Sequence, residues 1–346
     1  MAYTTINKST DYFNTKLYTG NGGTLNVTGV GFQPDLVWQK SRSLAYNHNL
    51  YDVIRGANAH LRSNLTAAEA SPSDGLTSFN SDGYTMVQGG AVEASNNGAT
   101  YATWNWLASN TTASNTDGSI TSTVSANTTS GFSIVSYTGN NTAGATVGHG
   151  LGSAPKMIIF KSRSGTKNWI TYHDGIGNTK AMFLNLTNAE ATGSDYWNNT
   201  SPTSSVFTLG DNSNHNDTSA NMIAYCFADK QGFSKFGSYT GNGDADGTFV
   251  YTGFKPAFVM IKRTSSTGNW LLLDNKRVGY NGSNYWIEAN KSDAENTTAN
   301  WIDILSNGFK LRLSGSSGNS DGNSYIYMAF AEAPLVGSNN IPAMAR

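Results

Sequence analysis

Cysteine is all but missing from this chain: one residue, Cys226, in 346. No intrachain disulfide can form, so packing alone must hold the fold, which suits assembly in a reducing cytosol. Cys226 stands inside the apolar run IAYCFA, the setting of a small buried apolar side chain. Charge is scarce too, at 13% of residues against about 25% in ordinary soluble domains. The 22 basic and 23 acidic residues nearly cancel, to a net charge of −1, and the lysines and arginines form no basic run. This excludes the electrostatic footprint of a nucleic-acid or anionic-membrane binder. No apolar run nears the ~20 residues of a membrane helix, so no membrane insertion is expected. The opening MAYTTINKST has no apolar segment of the signal-peptide kind. Asn-X-Ser/Thr triplets such as Asn185-Leu186-Thr187 are expected by chance in so Asn- and Thr-rich a chain.

What is present in quantity is a repeat. Tyr18-Thr19-Gly20-Asn21, Tyr137-Thr138-Gly139-Asn140 and Tyr239-Thr240-Gly241-Asn242 open three copies. Each is followed by an apolar run ending in lysine: GFQPDLVWQK, GLGSAPKMIIFK and GFKPAFVMIK. NLYD, NWITYHD and NWLLLD come next, then TAAEA, TNAEA and SDAEN. The copies close on ATWNWLAS, IAYCFAD and YMAFAEAP. Landmarks in one fixed order define three units of about a hundred residues each, beginning at Phe13, Phe132 and Phe233.

The apolar residues come in short runs rich in Val, Ile, Phe, Tyr and Trp, bounded by Gly, Asn, Asp and Ser. This is the pattern of strands and turns. The expected fold is all-β: three tandem antiparallel β-sandwich (jelly-roll-like) domains. Residues 1–108 form the first, 131–229 the second and 230–334 the third. Between the first two, 109–130 is expected to be a Ser/Thr/Asn-rich linker with a lead-in strand, and 335–346 a C-terminal extended arm. MIIF (157–160) and FVMI (258–261) are unbroken apolar runs and should be central strands buried on both faces. Pro34, Pro155 and Pro256 fit the start of a strand, not its middle. The one helical candidate is Thr66–Ala70 with its counterparts. The first copy is expected to carry a longer insert between Lys40 and Asp52.

The aligned acids are Asp52, Asp174 and Asp274, then Glu69, Glu190 and Glu295. Paired carboxylates can hydrolyse glycosidic bonds, but a chain seldom needs one active site three times. Acids that cap turns or hold a neighbouring loop explain the recurrence better. The histidines, His48, His60, His149, His173 and His215, show no metal-ligand spacing, and no Gly-X-Ser-X-Gly elbow occurs. No catalytic residue, metal ligand or cofactor is therefore assigned. The loops 210–221, 241–249 and 314–324 are oxygen-rich enough for calcium, yet none follows the EF-hand register, and solvated turns are the better reading. Gly148–Gly152 precedes a strand, so it reads as a turn and not a phosphate loop. Among the aromatics, Trp286 aligns with Phe183 and is expected in the core. Trp197, with Tyr196, sits in a polar loop and is the candidate for contact with a ligand. Differences among copies concentrate in 41–51, 193–203 and 275–285, the expected contact loops.

DGSITSTVSANTTSGFSIVSYTGN (117–140), VGHGLGSAPKMIIFKSR (147–163), NWITYHD (168–174) and FAEAPLVGSNNIPAMAR (330–346) resemble virion structural proteins of phages of marine bacteria, cyanophages and their relatives. The resemblance spans nearly the whole chain. It implies a non-enzymatic component of the phage particle, assembled in the host cytoplasm, most simply a tail fibre or appendage touching the host surface. Capsid decoration on the head surface is the alternative, and a polysaccharide-degrading tailspike a third reading. The implied partners are other virion proteins, a host-surface glycan and further copies of the chain, a trimer among the options.

Overall fold

The computed structural model describes residues 4–277 and 281–334. The protein is all-β, and each copy forms two antiparallel sheets. In the first copy the inner sheet runs Phe13–Thr19, Thr100–Trp106, Leu36–Ser41, Asn49–Asp52, and the outer one Thr24–Thr28, Gly83–Val87, Gly75–Asn80. The second copy repeats the inner order with Phe132–Thr138, Asn221–Phe227, Met157–Ser162 and Ile170–His173. The third does so with Ser234–Thr240, Ser324–Pro334, Phe254–Arg263 and Trp270–Asp274. The expected start at Phe233 thus moves by one residue, since Ser234 holds the place of Phe13 and Phe132.

The unbroken apolar runs have a simple cause. Side chains alternate across a strand, and both faces of the inner sheets are covered. Val37, Ile158 with Phe160, and Val259 with Ile261 point into the three separate sandwich interiors. Leu36 with Trp38, Met157 with Ile159, and Phe258 with Met260 point the other way, into one core shared by all three copies. At its centre Trp106, Phe227 and Phe330 occupy equivalent strand positions and touch pairwise. Their ring centroids lie 6.2, 5.7 and 6.1 Å apart, each pair edge-to-face. Such geometry suits aromatic quadrupoles. The near-equilateral triangle marks a pseudo-threefold axis within one chain.

The Tyr-Thr-Gly-Asn motif is an anchor in each copy. The hydroxyls of Tyr18, Tyr137 and Tyr239 donate to the carbonyls of Ala94, His215 and Gly318. The glycines lie so close to a neighbouring strand connection that a Cβ would fall 2.2–2.4 Å from a backbone oxygen at Gly20, Gly139 and Gly241. Only glycine fits.

Several expectations are corrected. Within 109–130 the lead-in strand is Ser122–Asn127, and Ala113–Asn115 pairs with it, so more of this stretch than expected is strand and the second inner sheet reaches eight strands. Thr66–Ala70 is not helical, since its backbone is used by the next copy, as described below. The short helices are Ser194–Trp197, Ser213–Asn216 and Ser316–Asn319. Pro256 lies within a strand, at a register shift that absorbs its missing donor. There is no insert after Lys40: it stands as far from Asp52 as Lys161 from His173 and Lys262 from Asp274. The arm 335–346 lies outside the described residues.

Replacing Phe227 by Ala should cost about 3–5 kcal/mol, the range for a buried aromatic. Because the triangle is shared, urea unfolding followed by probes in each copy should remain one transition. A mutant in which the first and third copies unfold at their original midpoints would contradict a shared core.

Candidate functional site

The copies are joined by a set of polar contacts made three times, each running from one copy to the next around the ring. The indole of Trp169 donates to the carbonyl of Arg62 (2.9 Å), and that of Trp270 to Phe183 (2.9 Å). His48 takes the same position in the first copy, with Nε2 3.1 Å from the carbonyl of Glu288. The amides of Glu69, Glu190 and Glu295 donate to the carbonyls of Arg163, Thr264 and Arg42. This is why the TAAEA stretch stays extended: its backbone is an arm laid on its neighbour.

Beneath each arm lies a buried lysine. Lys161 Nζ donates to the carbonyls of Thr66 and Lys167, and Lys262 Nζ to Thr187, Asn188 and Gly268. Lys40 donates to Ser41 and Leu44 and is drawn toward Asp293 and Glu295 of the third copy. Burial lowers Lys40 and Lys161 to about 8, and Lys262 to about 7. Backbone carbonyls satisfy their donors, but a buried ammonium still costs free energy.

The acids hold these joints together. By strand register the equivalents are Asp52, His173 and Asp274, so the expected Asp174 is displaced by one. Asp52 pairs with Arg55 and accepts from the Tyr225 hydroxyl of the second copy at 2.8 Å. Asp274 pairs with Arg277 at 2.7 Å and accepts from the Trp104 indole of the first copy at 3.0 Å. Glu69 lies between Arg55 and Arg163, and Glu295 between Arg277 and Arg42. Two joints are therefore clamped by a carboxylate with two guanidinium groups. The third keeps the arm and the lysine but not this clamp. His173 replaces the Asp and faces the Tyr327 carbonyl, Ile176 replaces the first Arg, and Thr264 the second. Glu190 there pairs with Lys180, and a cleft of about 390 Å³ opens, lined by Ile176, Lys180, Glu190 and Thr264.

Three of the histidines are held by hydrogen bonds at both ring nitrogens. His48, His149 and His173 each accept at Nδ1, from Trp38 Nε1, Leu151 N and Gly175 N, and each places Nε2 against a backbone carbonyl. That pattern fits only the neutral Nε2–H form. Burial pushes His60, His173 and His215 down to about 4 and lowers His48 and His149 as well.

Trp197, expected in an exposed loop, is buried (2% exposed). It stacks on Phe160, packs against His215 and donates to the Lys180 carbonyl. The loop around it is polar, but the one-turn helix Ser194–Trp197 turns the indole into the second sandwich. Tyr196 is half-buried against Phe183 and Trp197. Trp286 is in the core as expected, but by strand register its equivalent in the second copy is Ala181, not Phe183. Among the described residues, the large apolar side chains that stand exposed are Phe249 (44%) and Tyr251 (59%), flanking the buried Val250 on a sheet-edge strand. The alternation Phe-Val-Tyr was their signal in the sequence. Residues 278–280 of the contact loop 275–285 lie outside the described residues. Among the described residues, no three His, Cys, Asp or Glu side chains gather as a metal site would require, and no helix is long and apolar enough to cross a membrane.

Fold and joints together define a single-chain, pseudo-threefold ring of β-sandwiches. Its family can be stated: the chain belongs to DUF7483, a domain of unknown function whose profile matches residues 8–334. Neither a curated protein nor a solved structure matches the chain.

Acid should loosen the ring. Unfolded histidine takes up a proton near pH 6.5, whereas the buried rings resist until about 4, so their contribution is present above 6.5 and lost as pH falls toward 4. Asp35, raised by burial to about 6, works in the opposite sense. The cleanest reading is therefore a difference. The stability lost by His173→Gln, whose amide can still donate to Tyr327, should shrink steadily as pH falls from 6.5 to 4. A difference independent of pH would show that His173 is not held neutral. At the alkaline end, Lys262→Met should flatten the rise in wild-type stability expected between pH 7 and 10, where the unfolded lysine is protonated and the folded one is not. An unchanged slope in urea midpoints would refute the buried-ammonium account.

Proposed function

We propose that the protein is a non-enzymatic structural component of a phage particle, a tail fibre or related appendage that presents its surface to the host. The observation that carries this reading is the closed ring. The recurring acids and lysines serve to join one copy to the next: Asp52, Asp274, Glu69 and Glu295 are all engaged by arginine. A closed scaffold with variable loops suits contact with partners. Three related units on one chain also multiply a weak interaction through effective concentration. The resemblance to virion proteins supplies the particle, and Phe249 and Tyr251 supply an exposed aromatic pair able to stack on a glycan or on a neighbouring virion protein. The ring closes within one chain, so a three-unit arrangement needs no second copy. Further copies, other virion proteins and host-surface glycan remain the proposed partners. Capsid decoration is the second reading, favoured by the pseudo-threefold axis, which suits a threefold position on an icosahedral shell.

Labelled antibody imaged on virions decides between the two, few copies at the tail for a fibre and many over the head for decoration. Labelling of neither, on particles that contain the protein's genome, would sink both. Phe249→Ala with Tyr251→Ala should weaken attachment of purified protein to host cells or to particles lacking it. The melting temperature should move little, since both side chains are already in solvent. Release of new reducing ends from host polysaccharide, abolished by Glu190→Gln, would overturn the non-enzymatic reading in favour of a tailspike.

A further inference from the structure

We propose that the cleft between the second and third copies is a recognition site for a guanidinium group, an arginine side chain presented by a partner protein. The other two joints supply the template. There a glutamate, Glu69 or Glu295, receives one arginine from its own copy and one from the next: Arg55 and Arg163, or Arg277 and Arg42. Arg42 and Arg163 each meet their carboxylate through Nε and Nη2, a two-point fork. At the third joint the arm and its glutamate are kept, with the Glu190 amide still 2.8 Å from the Thr264 carbonyl. Both arginines are gone, replaced by Ile176 and Thr264, and the cleft of about 390 Å³ lies between these residues and Glu190. The carboxylate has one cation, Lys180, where its equivalents have two. Lys180 is about a third exposed, so the pair is open to exchange with water and ions. The wall includes Ser238 and Ser265. The Ser265 hydroxyl is already engaged with Asn323 and Ser324, so of the two Ser238 is the hydroxyl left to accept from a multidonor cation, which a guanidinium is more than an ammonium. The inference stands on the joint geometry alone and does not depend on the particle reading.

The test is titration of the full chain with methylguanidine, with lysine amide, and with a short glycine-flanked arginine peptide, followed by NMR shifts of residues around Glu190. Methylguanidine and the arginine peptide should shift the cleft resonances, the peptide more strongly, and lysine amide less than either. Equal shifts from arginine peptide and lysine amide would reduce the effect to unspecific charge and overturn the proposal. Equal binding of methylguanidine and peptide would overturn the assignment to a protein-borne arginine. Lys180→Ala, which removes the competing cation, should tighten arginine binding on the order of fivefold, the worth of one part-exposed ion pair. Glu190→Gln should abolish binding. Thr264→Arg rebuilds the clamp from within: it should raise the melting temperature by ~2 °C and block the peptide. A Thr264→Arg chain that melts earlier, or still binds the peptide as wild type does, counts against the site. So does Lys180→Ala with unchanged affinity.

Discussion

Everything in this molecule depends on the meeting of three inner sheets at Trp106, Phe227 and Phe330. A sandwich of about a hundred residues can bury one face of each sheet by itself. Here the second face of each inner sheet is apolar as well, and it can be buried only by the other two copies. The copies are therefore not beads on a string. Each supplies a third of a core that none of them could close alone, as in stacked repeat proteins, but with the stack bent into a ring.

The polar contacts follow from that ring. Where three sandwiches converge, their rims bring backbone carbonyls, arms and charged groups out of water. Such groups must be paired or they oppose folding. The solution is the same at each joint: an extended arm, a lysine capped by carbonyls, an indole or imidazole donating to the next copy. These contacts specify order and register more than they add stability, because desolvation offsets much of the attraction in a buried ion pair. Where specificity is already assured by two clamped joints, the third can diverge, and it has. His173 with Ile176 takes the place of an Asp–Arg pair, a neutral and self-consistent substitution. The Arg has lost its acid and the acid its Arg together.

The repeat, the all-β class, the central strands and the absence of a disulfide were legible in the residues, because alternation, turn chemistry and landmark order are local or one-dimensional signals. Recurrence singled out Asp52, Glu69, Asp274 and Glu295, but not the arginines that engage them. What misled was also local. Trp197 stands among Gly, Ser, Asp and Asn, and only the one-turn helix above the second sandwich reveals that its ring points inward. Thr66–Ala70 has helix-forming residues, yet the neighbour's Arg163 carbonyl takes the Glu69 amide, and the Thr66 carbonyl accepts from Lys167 N and Lys161 Nζ. Asp174 looks like the match for Asp52, but pairing with Met157 places His173 there.

By itself the sequence determined that three similar sandwiches would form, since each strand's neighbours are encoded within its own copy. It also carried the apolar second face of every inner sheet, visible as LVW, MIIF and FVMI. Only the tertiary structure decided what that face meets. The shared core, the direction in which each arm reaches, and the joint left open are relations between residues a hundred or more positions apart. Arg42 finds Glu295 across most of the chain, and no local pattern marks the two as partners until the ring has closed.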